Sequence, residues 1–446
     1  MEQNESGGEH AASIWERQAE RVSFEPLKES KHTDVLIIGG GITGVLCAYW
    51  LKKAGVDCLL VEADRIGSGI TKGTTAKITL GHGLLYDKLI RRFGYDRARL
   101  YLQAQRQACE LYADLCRTFP CEYEEKDAYV YSLHDRAAIE READALRRLG
   151  VRADVFDELP LPFKVAGAVR VKEQAQFHPL SFLFAIARDL PIYEHTKVLE
   201  LGQGTAVTQH GTIHCKRMIV ATHFPIVNKH GGYFLKMYQH RSYVLALDGA
   251  PDVDGMYVDA SDKGLSFRMH GNLLLLGGGG HRTGKSGGGW REPEAFAQQH
   301  YTNARIVARW ATQDCMTLDG VPYIGPYAKG TPDVYVATGF NKWGMTSAMV
   351  SAMILSDLIG GKPAPYADVF SPSRSILRPQ LAVNAYETLF NLLTPMAPRC
   401  PHLGCALKYN AAEHSWDCPC HGSRFAEDGA LIDNPATDDL KHRPPT

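Results

Sequence analysis

The chain has 446 residues, with 49 Lys+Arg against 50 Asp+Glu and a formal net charge of -1, a balance that excludes a basic nucleic-acid binder or an acidic tail protein. Its 45% hydrophobic share is that of a folded chain, and at roughly 100 to 200 residues per domain the length suggests two to four domains. The longest apolar runs, such as Val35 to Ile38, fall far short of the ~18 residues that cross a bilayer, and the N-terminus lacks the basic and apolar stretches of an export signal, so no transmembrane segment and a cytoplasmic location are expected. After a polar extension (1–33), Asp34 to Ile38 (DVLII) reads as a buried parallel strand. It runs at once into Gly39-Gly40-Gly41-Ile42-Thr43-Gly44, then a helix (Val45 to Lys53) ending at Gly55, and a second strand (Asp57 to Val61) that delivers Glu62.

This is G-x-G-x-x-G with strand, helix, second strand and acid in register. Gly39 makes the tight turn, Gly41 lets the backbone approach a pyrophosphate, Gly44 allows close helix packing, and Glu62 accepts ribose hydroxyls. Ile42 and Thr43, between the second and third glycines of the motif, are further candidates to bind the dinucleotide. A small-residue, donor-rich loop follows from Ala63 through Thr74, Thr75 and Ala76 to Lys77, and such a loop can lie along an extended cofactor. Gly81-His82-Gly83 comes next, then a helical segment (Arg97 to Phe119), a strand (Thr196 to Leu201) containing Val198, and the strand Met218 to Thr222 that ends in Ala221 and Thr222. Strand signals from Tyr238 to Ala308 carry Tyr243 and Arg268. Within them Gly279 to Ser286 satisfies the phosphate-loop formula G-x-x-x-x-G-K-[ST], but Gly287-Gly288-Gly289 and Pro293 follow where a helix is required, so it is expected to be a loop leaving an antiparallel strand. Val334 to Gly339 (VYVATG), a turn through Trp343-Gly344 and a helix from about Thr346 to Leu358 would aim free N–H groups at a ligand.

The loop from Ala63 to Lys77, Gln176-Phe177-His178-Pro179, the MIVAT strand, Asp319 to Gly325 and VYVATG with FNKWGMT together resemble the D-amino acid oxidase, glycine oxidase and sarcosine oxidase superfamily of FAD enzymes, over roughly residues 34 to 375. The resemblance implies FAD, held non-covalently because Cys315 is offset from the family's attachment position. It implies that Ala63 and Thr74 to Ala76 run along the cofactor, that Val198 contacts adenine, and that Ala221, Thr222, Gly339, Trp343, Gly344, Met345 and Thr346 belong to the flavin site. The activity implied is oxidation of a small amine or amino acid by hydride transfer to the flavin, in which positioning outweighs a general base. Candidate catalytic residues are Lys77, His82, Tyr243 and Arg268. The bland alternatives are a surface lysine, a locally satisfied histidine and a structural ion pair for Arg268.

The fold expected is α/β: a Rossmann-like FAD-binding domain (34–83, 161–235 and 312–375) interleaved with an α+β substrate domain (84–160 and 236–311), a linker (376–398), and a small all-β C-terminal segment (399–446).

That segment holds four of the eleven cysteines. Cys400-Pro401-His402 and Cys418-Pro419-Cys420-His421 pair two thiolates with two imidazoles, which suits a diiron cluster with two cysteines on one iron and two histidines on the other. Tetrahedral zinc is the alternative, though its sites more often use C-x-x-C and H-x-x-x-H spacings. The pattern looks like a Rieske [2Fe-2S] site of the subclass in which two further cysteines, here Cys405 and Cys420, can form a disulfide. It departs from the family in being short: few strands precede Cys400, and so small a segment must draw order from the cluster, the disulfide or the flavoprotein body. Three readings compete: a dehydrogenase passing electrons to the cluster and on to an acceptor protein or quinone, an oxygen-using oxidase with a degenerate C-terminus, and a non-catalytic redox or metal-binding module.

Overall fold

The computed structural model describes residues 12–227, 230–261, 263–395 and 397–441. The first eleven residues of the expected extension and the last five of the C-terminal segment lie outside them.

Three sheets organise the chain. The first has eight strands and a parallel heart: Lys31–Ile38 lies between Gly211–Val220 and Cys58–Val61, with Ile192–Tyr193 beyond the latter and Val334–Thr338 beyond the former. Tyr323–Pro326 closes one edge antiparallel, and the hairpin Val198–Gly202/Thr205–Thr208 attaches to Gly211–Val220. Parallel strands buried on both faces explain the near-continuous apolar runs. Helix Ile42–Lys53 covers this sheet and packs on helix Gly344–Ile359. Both begin two or three residues earlier than the sequence predicts, because the glycine and polar residues of each first turn interrupt the apolar periodicity on which the prediction rests.

The second sheet has nine strands, running from Arg305–Thr317 through Met237–Asp248, Leu273–Arg282, Ser266–His270, Met256–Asp259, Glu124–Ser132 and Gly167–Gln176 to Lys77–Ile78, with Ala153–Phe156 paired to Gly167–Gln176 off this path. Gly167–Gln176, grouped by sequence with the dinucleotide segments, pairs here with Glu124–Ser132. Lys77–Ile78 pairs with the same strand, so the flavin loop ends by entering the second sheet.

The third sheet is an antiparallel meander of four three-residue strands between Lys408 and Asp433. Its small core joins Cys400, Cys405, Leu407, Cys418, Cys420 and Phe425. The linker contains the helix Pro379–Leu393. The polar N-terminal extension is part of the body, since Ile14–Gln18 is a helix whose Ile14 and Trp15 are buried in the main core.

Candidate functional site

At the dinucleotide cradle the three motif glycines differ in what constrains them. Gly39 sits at φ +111, and a Cβ there would lie 2.5 Å from the Ala221 carbonyl oxygen. A Cβ on Gly44 would lie 1.9 Å from the Gly39 oxygen. A Cβ on Gly41 would meet only Thr71 Oγ1, at 3.4 Å. Packing within the chain therefore demands glycine at 39 and 44 but not at 41, and the open space at Gly41 fits a pyrophosphate. The carboxylate of Glu62 accepts from the backbone N–H groups of Gly40 at 2.6 Å and Asp64 at 2.9 Å. Burial raises its pKa while these bonds oppose the shift. Ile42 N–H donates to Thr71 Oγ1 at 3.0 Å, Thr43 is buried beside it, Ala63 follows Glu62, and Val198 is buried on its hairpin strand. These positions suit an adenine dinucleotide.

The flavin loop is held from three sides. Trp15 Nε1 donates to the Thr74 carbonyl at 2.8 Å, and Trp310 Nε1 to the Gly73 carbonyl at 3.0 Å. Arg268 Nη1 donates to the Thr75 and Ala76 carbonyls at 2.9 and 3.0 Å. Ala76 is in the left-handed region at φ 53, a conformation that the surrounding contacts must enforce. Among the described residues Arg268 thus forms no ion pair; it is fully buried and braces backbone, and burial pulls its pKa down to about 9.

Lys77 is not a surface lysine. Its Nζ donates to Thr75 Oγ1 at 3.1 Å, and burial, then the Arg268 charge, lowers its pKa to about 7. It borders a narrow gap together with Thr79, Tyr129, Val169, Met256 and Trp343. His82 adjoins, stacked on Trp343 with ring centroids 4.8 Å apart. Its Nδ1 meets Tyr101 Oη at 2.8 Å and its Nε2 meets the Thr79 carbonyl and Thr346 Oγ1 at 2.9 and 3.1 Å. Burial depresses its pKa to about 3, so it is a neutral, locally satisfied histidine that braces the start of helix Gly344–Ile359. Tyr112 Oη donates to the Met345 carbonyl at 2.9 Å on the same turn. Gly339 holds φ +73 with Thr317 at its back, and Asn341 and Lys342 follow at φ 51 and 70, turning the chain into the helix through Trp343 and Gly344.

Tyr243 lies elsewhere. Its hydroxyl donates to Glu413 Oε1 at 3.0 Å, which turns it toward the C-terminal domain and away from this gap. Strand alternation explains the misplacement: a one-residue difference in facing moves a side chain to the other side of the sheet.

In the C-terminal domain His402 and His421 lie edge to face, ring centroids 5.0 Å apart, and burial lowers the pKa of both, His402 to about 4. Neutral imidazole is the form that binds metal. His421 is fully buried, and neither ring nitrogen has a well-aligned hydrogen bond. The Cys418 thiol is pushed well down by hydrogen bonds from Cys400, Cys405 and Cys420. The sulfurs of Cys405, Cys418 and Cys420 lie within 4.8 Å of one another, so proximity alone marks a trio of thiols. That trio would leave the buried His421 ring without a partner, whereas a cluster held by the expected set, Cys400, His402, Cys418 and His421, would give it one. Two soft thiolates and two neutral imidazoles fit a mixed-ligand diiron cluster. Cys405 and Cys420 are thiols in hydrogen-bonding contact rather than the expected disulfide, the Cys418 sulfur being packed against both.

Residues that the sequence did not single out join this domain to the flavoprotein. Arg241, 2% exposed, forms a bidentate pair with Glu413, its Nε at 3.0 Å from Oε1 and its Nη2 on Oε2. Arg424 adds a second cation to Glu413 at 2.7 Å and bonds Asp417 at 3.0 Å. Gln239 Nε2 donates to the His421 carbonyl at 2.8 Å and Gln313 Nε2 to the Gly422 carbonyl at 2.9 Å. Phe224, two residues past Thr222, sets its ring against both His402 and His421, and Asn434 Nδ2 donates to the Phe224 carbonyl at 2.9 Å. The phosphate-loop look-alike also belongs here: its strand runs on to Arg282, whose guanidinium donates to the Pro419 carbonyl at 3.2 Å, and Gly284 at φ +72 abuts Pro419. Only a Gly-rich turn allows that approach, which is the signal available in the sequence.

Residues 34–358 match the family described as FAD dependent oxidoreductase, and residues 389–444 the Rieske [2Fe-2S] domain, which begins inside the linker helix rather than at 399. A Rieske 2Fe-2S iron-sulfur protein of Bacillus subtilis (strain 168), named YhfW, is 34% identical over 96% of this chain and 97% of its own. Gamma-glutamylputrescine oxidoreductase of Escherichia coli (strain K12) is 23% identical over 79% of this chain and 90% of its own. The crystal structure of L-proline dehydrogenase from P. horikoshii has the same fold, with a TM-score of 0.65 at 19% identity, covering 78% of this chain and 98% of that one.

Proposed function

The chain belongs to the FAD-dependent oxidoreductases, with a Rieske [2Fe-2S] domain at its C-terminus, and we propose that it is a dehydrogenase for a small amine or amino acid whose electrons pass to that domain. When bound, FAD supplies a hydride acceptor and the cluster a one-electron acceptor. The observation that carries the reading is the fixed docking of the cluster loops: Gln239 and Gln313, on adjacent strands of the flavoprotein's second sheet, hold the carbonyls of His421 and Gly422. A degenerate appendage would have no reason to keep these buried bonds, each of which is costly to leave unmade.

In this reading Cys400, His402, Cys418 and His421 bind the cluster. The cradle from Gly39 to Gly44, with Glu62, holds the dinucleotide, and the loop from Thr74 to Ala76 with Gly344 to Thr346 frames the flavin. The substrate lies beside Lys77 in this reading, against the apolar residues of the second sheet that exclude water, and Lys77 Nζ, titrating near neutrality, exchanges the proton of the substrate amine. His82 and Arg268 are positioning residues, the first for the helix start and the second for the flavin loop. Gamma-glutamylputrescine oxidoreductase and L-proline dehydrogenase, the latter by fold, give the amine and amino-acid class its support.

Anaerobic mixing with a panel of amines and amino acids tests this. Bleaching of the flavin absorbance followed by an anisotropic electron-paramagnetic signal of low average g is expected, and His421→Ala should remove the signal while the flavin still bleaches. Bleaching with no cluster signal in iron-replete wild type would favour an oxidase, and zinc without iron in anaerobically purified protein would overturn the cluster assignment.

A further inference from the structure

The helix Pro379–Leu393 is amphipathic in the reverse sense for a protein surrounded by water. Its buried residues are Asn384, Glu387 and Asn391, one stripe at helical spacing. Each is tied down: Asn384 Oδ1 accepts from Arg282 at 3.0 Å, Glu387 pairs with Lys285 at 2.7 Å, and the Asn391 carbonyl accepts from the Ala406 N–H at 2.9 Å. The outward stripe is apolar. Leu377 is 77% exposed, Leu393 72%, Tyr386 64% and Leu389 60%, with Val383 and Phe390 also exposed. Because the polar face is locked by buried hydrogen bonds, the helix cannot roll over to hide these side chains. A contiguous apolar ridge of this kind marks an interaction surface.

Charge and shape select the occupant. The only carboxylate on the helix, Glu387, faces inward, and a cation stands at each end, Arg378 before the helix and Arg399 after it. A protein partner or a second copy of this chain would need about one hydrogen bond per 100–200 Å² of interface, and the exposed stripe offers one side-chain group for that, the Tyr386 hydroxyl. A convex apolar ridge about 22 Å long, at 1.5 Å per residue, with one arginine beyond each end and no outward carboxylate on the helix, suits insertion of its apolar face into a lipid interface. We propose that this face seats the protein on an anionic bilayer surface, with Leu377, Val383, Leu389, Phe390 and Leu393 among the upper acyl chains and Arg378 and Arg399 at headgroup level. Leu403, next to His402, is exposed beside it, and a Cβ on Gly404 would lie 3.9 Å from Leu392. The seat therefore brings the cluster loop to the membrane, where an electron acceptor dissolved in lipid would meet it. The binding claim is independent of the substrate reading, because it is read without turnover.

Flotation of the full-length holoprotein with vesicles of phosphatidylcholine containing about a quarter phosphatidylglycerol tests the seat. The wild type should float with the vesicles, and most of it should stay bound at about 0.5 M salt, where screening removes the electrostatic part. Leu389→Gln with Phe390→Gln should weaken binding at least about tenfold, from the apolar area lost, with flavin absorbance and melting temperature unchanged. If that pair disturbs folding, Leu377→Gln with Leu393→Gln, at the most exposed positions, serves in its place. Wild type that stays with the soluble fraction, or variants that float like wild type, would overturn the proposal. So would a wild-type dimer in sedimentation that the variants split, since a second copy would then cover the ridge.

Discussion

The two cofactor regions are built on opposite plans. The dinucleotide cradle is largely local: strand, turn, helix and acid lie within residues 31–64, and the contacts of Gly44 and of the Glu62 carboxylate come from that unit, while Gly39 abuts Ala221 of the neighbouring strand end. The cluster region borrows its order. Four strands of three residues each enclose a small core, and the buried ion pair, the two glutamine bonds and the phenylalanine ring that fix it belong to the flavoprotein. A unit that folds from its own sequence tolerates distant change, whereas one held by its neighbour inherits every fault in the neighbour's surface.

The contrast is broken most sharply at Gly44. Gly44→Val would drive side-chain carbon into the Gly39 carbonyl, and the expected outcome is loss of soluble protein, measured as yield and circular dichroism. Gly41→Val should separate binding from folding, because the chain leaves room for a side chain there. Folded but colourless protein with no releasable FAD is expected, and yellow protein with normal FAD content would refute the pyrophosphate role.

Arg241→Ala is the corresponding cut on the cluster side. Removing one partner of a buried pair typically costs roughly 3–5 kcal/mol, and Arg424 retains part of the interaction, so the loss should fall near the lower end and be confined to docking. Faster proteolysis between residues 376 and 441 with flavin still bound is the expected result; unchanged proteolysis would mean that the domain stands alone. Acid should act on the same contact. Burial by itself would raise the Glu413 pKa, yet the charges of Arg241 and Arg424 hold it below the usual 4.5. Its contribution is therefore complete above that value and is lost as pH falls through the depressed one.

The smallest effect expected is at Lys77. Its pKa is near 7 in the folded protein against 10.5 ordinarily, so between those values the unfolded chain binds more protons and stability rises with pH. Lys77→Met should remove that rise in melting temperature and flatten the increase in flavin reduction rate through about pH 7. A variant with the wild-type profile in both would exclude the proton-exchange role.

Local pattern made the first site and the ligand spacings of the second legible, since G-x-G-x-x-G between two strands and paired cysteine–histidine loops need only near neighbours in sequence. Tyr243 and Arg268 show where that legibility stops. Both lie on strands that were recognisable, but which face each presents, and whether Arg268 meets a carboxylate or the carbonyls of Thr75 and Ala76, depends on chain 170 residues away for Tyr243 and 192 or more for Arg268. The same holds for Trp15, assigned by composition to a polar extension and found bracing the flavin loop.

Spacings of a few residues made the parallel dinucleotide unit and the four expected cluster ligands legible, because backbone geometry converts such spacings directly into local structure, and resemblance to known flavoenzymes added FAD. Tertiary structure alone decided which way the linker helix faces, that Tyr243 serves the domain interface, that burial brings Lys77 close to neutrality, and that a short cluster domain rests on Arg241, Gln239 and Gln313. Those outcomes depend on desolvation and on partners far away in the chain, and neither has a local signature.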